Sequence, residues 1–363
     1  MQPTEFFSAT YAEARTRFLD AAAQAGFTAR HHVHPLRGPG GEELATDVVR
    51  IGPDDASRVL LTISGTHGVE GFCGSGVQVG VLRSGRWREL PNDTALVLVH
   101  AINPHGFAWL RRITEDNVDL NRNHVDHGAP YPQNPGYSAL RNDICPDQWN
   151  GVSRTRAMAR LQAYADEHGY MAMKQAATGG QYEDEKGIFY GGKTLTWSAR
   201  TLYAIIEEHT ARARHVGVID YHTGLGPYGY GELQGDALTG DPAQGRLKAW
   251  LGDGVTATDD GTSSSPPLYG CNDVGIREHL PAGVELTMVT LEYGTSPSEE
   301  VLDSLRADCW LHAHGDLDSE QGRAIKAEIR RCFYPDADDW KQMVWERAID
   351  TEARMLAGLA SLD

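Results

Sequence analysis

"RVLLTISGTHGVEG", residues 58–71, runs from an apolar stretch straight into a glycine-punctuated turn carrying one histidine and one glutamate. The first six residues, continuous and rich in branched side chains, read as a buried strand. A chain leaving such a strand needs glycines to turn, and Gly65, Gly68 and Gly71 supply them. It has no such need of His67 and Glu70. An H-x-x-E tetrapeptide also occurs in surface turns whose glutamate is solvated, so alone it is a weak signal. Held between glycines that aim both side chains one way, it reads as two ligands of a divalent cation. A borderline ion such as zinc takes one imidazole and one carboxylate, with a third ligand brought from elsewhere in the chain.

His222 supplies that third ligand. It ends the apolar strand "HVGVIDYHTG", residues 215–224, and Asp220 projects to the same face. A strand-end histidine can also bond a neighbour and do no more. Joined to His67 and Glu70, it completes a three-ligand set whose open fourth position marks a catalytic rather than a structural zinc. His124 and His127 share a metal-compatible spacing, but they lie in an irregular loop with no strand behind them.

The same pattern repeats outward from this turn. "TALVLVHAI" leads to Asn103 and an arginine-bearing loop, "HVGVID" to His222, and "LTMVTL" to Glu292. Ligands of open α/β sheets collect beyond the carboxyl ends of the strands, so parallel neighbours would bring all these groups to one patch. The expected fold is α/β: a single domain over 1–363 with a central mixed, mostly parallel twisted sheet flanked by helices. A long loop and helix insertion or rim, 128–196, falls between its second and third core strands. Residues 128–150 are dense in Pro, Gly and Asn and read as an irregular excursion, often a functional loop at such a length. Helices are expected near 152–176, 197–213, 298–313, 318–331 and 338–360, with loops and short elements over 240–283. The stripe Trp340, Val344, Met355, Leu356 and Leu359 reads as core packing rather than a dimer face.

Composition sets the outer bounds. The 363 residues, 40% apolar, suffice for one large α/β domain. Thirty-three basic against 50 acidic residues give −17, which disfavours nucleic acid and anionic membranes as partners. Five scattered cysteines without a C-x-x-C pair suit a reducing compartment and argue against both a disulfide framework and a cysteine-built zinc site. The first residues read as a cap and an amphipathic helix, with no basic segment leading into an apolar one, and no apolar run approaches the length of a membrane span. The expectation is a soluble, cytoplasmic protein whose oligomeric state the sequence leaves open. Neither phosphate-binding glycine motif occurs, and "GFCGSG" is not a nucleophile elbow.

Taken in order, "GTHGVEG", "NPHGF", "RR…NVDLNRN", "DYHTG", "LYG" and "TLEYG" resemble the zinc carboxypeptidase superfamily, in particular an uncharacterised branch of zinc-carboxypeptidase-like metallohydrolases related to the aspartoacylase and succinylglutamate desuccinylase branch. The resemblance implies one Zn2+ per chain on His67, Glu70 and His222. It implies that Glu292 accepts a proton from the zinc-bound water and later delivers it to the leaving amine. Asn121 and Arg122 match the pair that grips the substrate's free carboxylate, and Asp119 matches an acid that orients the first ligand histidine. Arg112 or Arg111 would polarise the scissile carbonyl, with Arg112 favoured. Tyr269 resembles a mobile tyrosine that closes over bound substrate, and Ile276 and Arg277 are the specificity candidates. The implied substrate is a small peptide or an N-acyl amino acid with a free carboxylate. The implied activity is a carboxypeptidase-like metallopeptidase, with an aspartoacylase-type deacylase as the alternative. A metal-free binding protein on the same fold is the reading from another class.

Overall fold

The structure is a computed structural model and describes residues 2–363. Helix α1 (Tyr11–Ala25) precedes an antiparallel pair, β1 (Arg30–Arg37) and β2 (Glu43–Ile51). Strand β3 (Arg58–Ile63) feeds α2 (Gly71–Ser84), and β4 (Thr94–His100) feeds the short α3 (Pro104–Ala108). Next come α4 (Pro135–Ile144), α5 (Gly151–His168), α6 (Tyr170–Thr178) and α7 (Trp197–Thr210). The second half runs through β5 (His215–Tyr228), β6 (Gly231–Gly235), α8 (Pro242–Leu251), β7 (Val255–Ala257), α9 (Asn272–His279) and β8 (Glu285–Gly294). It closes with α10 (Ser298–His314), α11 (Glu320–Phe333) and α12 (Asp338–Ala360).

One eight-stranded mixed sheet, in the order β1-β2-β4-β3-β5-β8-β6-β7, carries the chain. Its middle, β4-β3-β5-β8, is parallel, while β2 and β6 flank it antiparallel. Successive residues of a strand face opposite layers. Leu60 therefore packs with Phe18, Val77 and Trp340, whereas Val59, Leu61 and Ile63 pack with Leu202 and Ile206 of α7. With both faces covered, the central strands read as unbroken apolar runs rather than alternating ones. Trp340, Val344, Met355 and Leu359 of α12 are fully buried against this core, as their spacing predicts.

Three strands and one helix go beyond the sequence reading. Strand β1 lies at a sheet edge with most of its side chains exposed and so lacks an apolar signature, and β6 and β7 are only 5 and 3 residues long. The excursion 128–150 is not wholly irregular. Asn134 accepts the Tyr137 N–H at 3.0 Å and Pro135 opens α4, a capped start that the density of Pro and Gly conceals. The helix expected over 152–176 is two, broken at Gly169, whose φ of +94° suits only glycine.

Candidate metal centre

The parallel order β4-β3-β5-β8 places the carboxyl ends of four strands side by side. After β3 the chain turns at Gly65 (φ +70°), and Gly68 packs so closely on α3 that a Cβ there would lie 2.0 Å from the Gly106 carbonyl carbon. The N–H groups of Gly68 and Val69 donate to the carbonyls of Arg112 and Arg111, at 3.1 and 2.8 Å. The H-x-x-E turn and the arginine loop are thus one backbone unit. Ala101, Leu110 and Asn117 all adopt positive φ around it (+61°, +50° and +60°), a strained backbone of the kind that packing holds at functional sites. On the other side, β5 and β8 pair in a register that sets His222 beside Glu292.

The donor atoms converge. His67 Nδ1 is 2.9 Å from Glu70 Oε1 and 3.0 Å from His222 Nδ1, and His222 Nδ1 is 3.2 Å from Glu70 Oε2. Tetrahedral ligands about 2.0–2.1 Å from a zinc ion lie about 3.3–3.4 Å from one another, so this triangle fits such an ion with little adjustment. All three side chains are buried. Behind each imidazole stands a carboxylate: Asp119 Oδ1 is 3.3 Å from His67 Nε2, and Asp220 Oδ2 is 2.7 Å from His222 Nε2. For His222 that arrangement fixes Nε2 as the protonated nitrogen and frees Nδ1 for a metal, and at His67 the Asp119 pairing favours the same tautomer. Asp220 is itself held by the Thr66 hydroxyl and the Asn272 amide, at 2.8 and 2.7 Å. Among the described residues this is the buried group of three side chains able to share one ion.

Electrostatics agree with a cation seat. Burial alone would raise the Glu70 carboxyl, but the two imidazoles and the hydrogen bonds they make hold it below the ordinary carboxylate range. Asp119 is likewise held well below its usual value despite burial, by Arg112, Arg122 and His67. Burial disfavours the charged form of His222, yet Asp220 and Glu70 outweigh it and raise its pKa. Glu292 goes the other way: burial and the Glu70 charge push it up to about 8. Two neighbouring carboxyls thus have opposite proton affinities, Glu70 kept ionised and Glu292 able to hold a proton near neutrality.

Arg112 reaches this cluster. Its Nε donates to Asp119 Oδ2 at 2.9 Å, its Nη1 to Glu70 Oε1 at 3.2 Å, and its Nη2 lies 2.7 Å from His67 Nε2. The contacts of Asp119 and of Arg112 with His67 Nε2 demand opposite protonation of that nitrogen. A metal on Nδ1 favours the Asp119 pairing. Arg111, the other candidate, does not line the cavity: its Nε pairs with Asp308 Oδ2 at 3.1 Å and its Nη2 donates to Asn117 at 3.0 Å. The two neighbouring side chains thus bind different carboxylates, and Arg112 is the one that reaches the cluster.

A cavity of about 400 Å³ opens over the donors, and Glu292, Arg112, Asn121, Arg122 and Tyr269 all line it. Arg122 donates from Nη1 and Nη2 to the carbonyls of Asn121 and Thr178, at 2.8 and 2.7 Å, while its buried Nε finds no acceptor. Tyr269 is 64% exposed, at the mouth. Ile276 is buried in the core and Arg277 is exposed, and neither lines the cavity. Helix α9 begins at Asn272, so its first turn faces inward and Asp273 and Val274 reach the cavity instead. The residues missed by the sequence reading, Asp236, Asp273 and Lys174 among them, come from short or polar elements without periodic signal. Tyr170, Met173, Lys174, Thr178 and Phe189 bring the segment 128–196 onto the cavity wall.

A family model described as "Protein of unknown function (DUF2817)" matches residues 7–347, and the chain belongs to that family. No curated protein matches it. Among solved structures it is similar to bovine thrombin-activatable fibrinolysis inhibitor, solved with tick carboxypeptidase inhibitor, at 9% identity and a TM-score of 0.48 over 97% of each chain. It is similar to carboxypeptidase A from Helicoverpa armigera at 11% identity and a TM-score of 0.42, covering 89% of this chain and 73% of that one. With succinylglutamate desuccinylase from Chromobacterium violaceum the identity is 18% and the TM-score 0.38, over 88% of this chain and 74% of that one. These likenesses are distant, and the chemistry has to come from the site itself.

Proposed function

We propose that this member of the DUF2817 family is a zinc-dependent hydrolase that cleaves an amide bond next to a free carboxylate. The observation that carries the reading is the triangle of His67 Nδ1, His222 Nδ1 and a Glu70 carboxylate, at 2.9–3.2 Å from one another. Each imidazole is backed by its own buried aspartate, and Glu292 stands on the neighbouring strand. His67, Glu70 and His222 would hold the ion. When bound, zinc supplies two things: a lowered pKa for a water, and polarisation of a carbonyl oxygen.

The chain's own groups do the rest. Glu292 takes the proton of the attacking water on its carboxylate and passes it to the departing nitrogen. The Leu225 N–H, which donates to Glu292 Oε1 at 3.0 Å, keeps one oxygen occupied and the other directed to that task. Arg112 lines the cavity and would present guanidinium N–H donors where negative charge develops on the carbonyl oxygen. Arg122 and Asn121 bind the free carboxylate, the guanidinium suiting a planar anion, and so set which bond is presented. The segment 128–196 is a rim that narrows access.

Metal analysis of protein purified without added zinc tests the seat: about one equivalent is expected in the wild type and none in His222→Ala. Glu292→Gln is expected to keep its metal and lose activity by about two to four orders of magnitude. A panel of short peptides and N-acyl amino acids, assayed with and without chelator, separates peptidase from deacylase. Turnover that survives both chelation and Glu292→Gln would overturn the proposal.

A further inference from the structure

Two of the five cysteines form a site that the proposed reaction does not use. Cys145 caps the carboxyl end of α4 and Cys309 lies in α10, yet their Sγ atoms are 3.4 Å apart across 164 residues of sequence. The Cys145 sulfur accepts the Ile188 N–H at 3.4 Å and lies 3.4 Å from the Cys309 sulfur and 3.9 Å from the Tyr137 hydroxyl. The S–H of Cys309 and the Tyr137 hydroxyl have closer acceptors in the Lys186 carbonyl at 3.0 Å and Asp184 Oδ2 at 3.1 Å. A backbone N–H aimed at the sulfur favours its thiolate, the reactive form. The contacts with Cys309 and the Ile188 N–H lower the Cys145 pKa against its burial, while the contact with Cys145 and burial raise Cys309 well above the ordinary thiol value. Cys145 is also the less buried partner. Both residues line a surface cavity of about 240 Å³ that also presents Arg141, Lys186 and His314, a route by which a small polar oxidant approaches them.

From this geometry we infer that Cys145 and Cys309 are an oxidisable dithiol whose disulfide staples the segment 128–196 to α10. With a hydroperoxide as oxidant, the Cys145 thiolate attacks one peroxide oxygen. The O–O bond breaks, the other oxygen leaves as hydroxide or alkoxide, and a sulfenic acid forms on Cys145. The Cys309 sulfur then attacks the Cys145 sulfur, the S–O bond breaks, and the hydroxyl leaves as water with the Cys309 proton. Two thiols are oxidised and one peroxide is reduced. Closing from contact to a bond of about 2.05 Å asks each sulfur to move about 0.7 Å, a shift that side-chain rotation supplies.

The linkage acts where the cavity wall is built. Tyr137, Ile188 and Phe189 of the segment share one apolar cluster with Leu305 and Cys309 of α10. Phe189 also lies against Arg112, its ring centroid 5.0 Å from the guanidinium carbon. A bond between Cys145 and Cys309 therefore limits the freedom of the wall that carries Phe189.

Full-length protein treated with hydrogen peroxide and digested without reductant tests the inference. Peptide mass spectrometry is expected to show one cross-link, Cys145 to Cys309, with two hydrogens lost. Tm should rise by about 5 °C and fall back on reduction, and amide exchange should slow over 135–144 and 184–190. Cys309→Ser should leave Cys145 as a sulfenic acid trapped by dimedone, while Cys145→Ser should leave Cys309 unmodified. The inference is overturned if wild-type Cys145 proceeds to sulfinic acid unlinked, if both thiols survive, or if the cross-link joins Cys73, Cys271 or Cys332.

Discussion

Arg111 and Arg112 are neighbours in sequence that bind different carboxylates. The first is tied to Asp308, which Lys326 also contacts, and the second spans Asp119 and Glu70 at the donor cluster. Their substitutions should therefore separate. Arg112→Lys keeps the charge but loses the planar fork, and kcat should fall by about two to three orders of magnitude with little change in KM. Arg111→Met should leave kcat unchanged and cost about 2 kcal/mol in denaturant unfolding, since Lys326 still compensates Asp308. Equal kinetic losses in the two variants would refute the assignment. That His67, Glu70 and His222 come together was legible because few residue types suit a metal seat and all three stand at or just beyond a strand end. Asp220 was visible only as a residue on the same face. Its work depends on Thr66, in the turn after β3, and on Asn272, at the start of α9, both distant in sequence.

Elements position these residues through close contacts that single substitutions can probe. The β3–α2 turn rests on α3 with no room for a Cβ at Gly68. Gly68→Ala should force the two backbones apart, cost about 1–3 kcal/mol and weaken zinc affinity through displaced His67 and Glu70. Isothermal titration with zinc and a thermal melt measure both effects; a variant of wild-type affinity would show that the turn is not held by this contact. Helix α12 offers a pH prediction. Glu352 is buried, its Oε2 has no hydrogen-bond partner, and burial pushes its pKa to about 7, opposed only by Arg86. A raised carboxyl pKa means the folded protein keeps a proton that the unfolded chain releases. Stability is thus fully present below the ordinary glutamate range and falls as pH rises through about 7. Glu352→Gln removes this slope, so between pH about 5 and about 8.5 the wild type should lose about 3 kcal/mol more than the variant. Parallel urea titrations at the two pH values decide it. The same helix shows what sequence conveys well, because a long apolar stripe has one physical solution. An exposed edge such as β1 is specified mainly by the hydrogen bonds of β2, and these leave little trace in its side chains.

At the scale of the molecule, the site is a product of strand order. The apolar runs predicted that strands exist and end in polar groups; they did not fix that β5 would lie between β3 and β8, which brings His222 to both His67 and Glu292. Nor did they reveal that 128–196 would reach across to the cavity, since its contacts depend on α10 and α11, more than a hundred residues later. This division between scaffold and site yields the last prediction. The core packs on both faces of the sheet without help from the donor cluster, so removing the metal should leave the fold intact. Far-UV circular dichroism of dialysed, chelated protein should match that of the loaded form. Stability should still change, because an ion that binds only the folded state adds about 4 kcal/mol at a thousandfold excess over its Kd. Without it, Glu70, Asp119 and Asp220 are left around two imidazoles, and His222 takes up the proton that its raised pKa favours. Tm should therefore climb with added zinc and level off. His222→Ala should melt at one temperature whatever the zinc concentration. A zinc-dependent rise of equal size in that variant would move the binding site away from this triangle of donors.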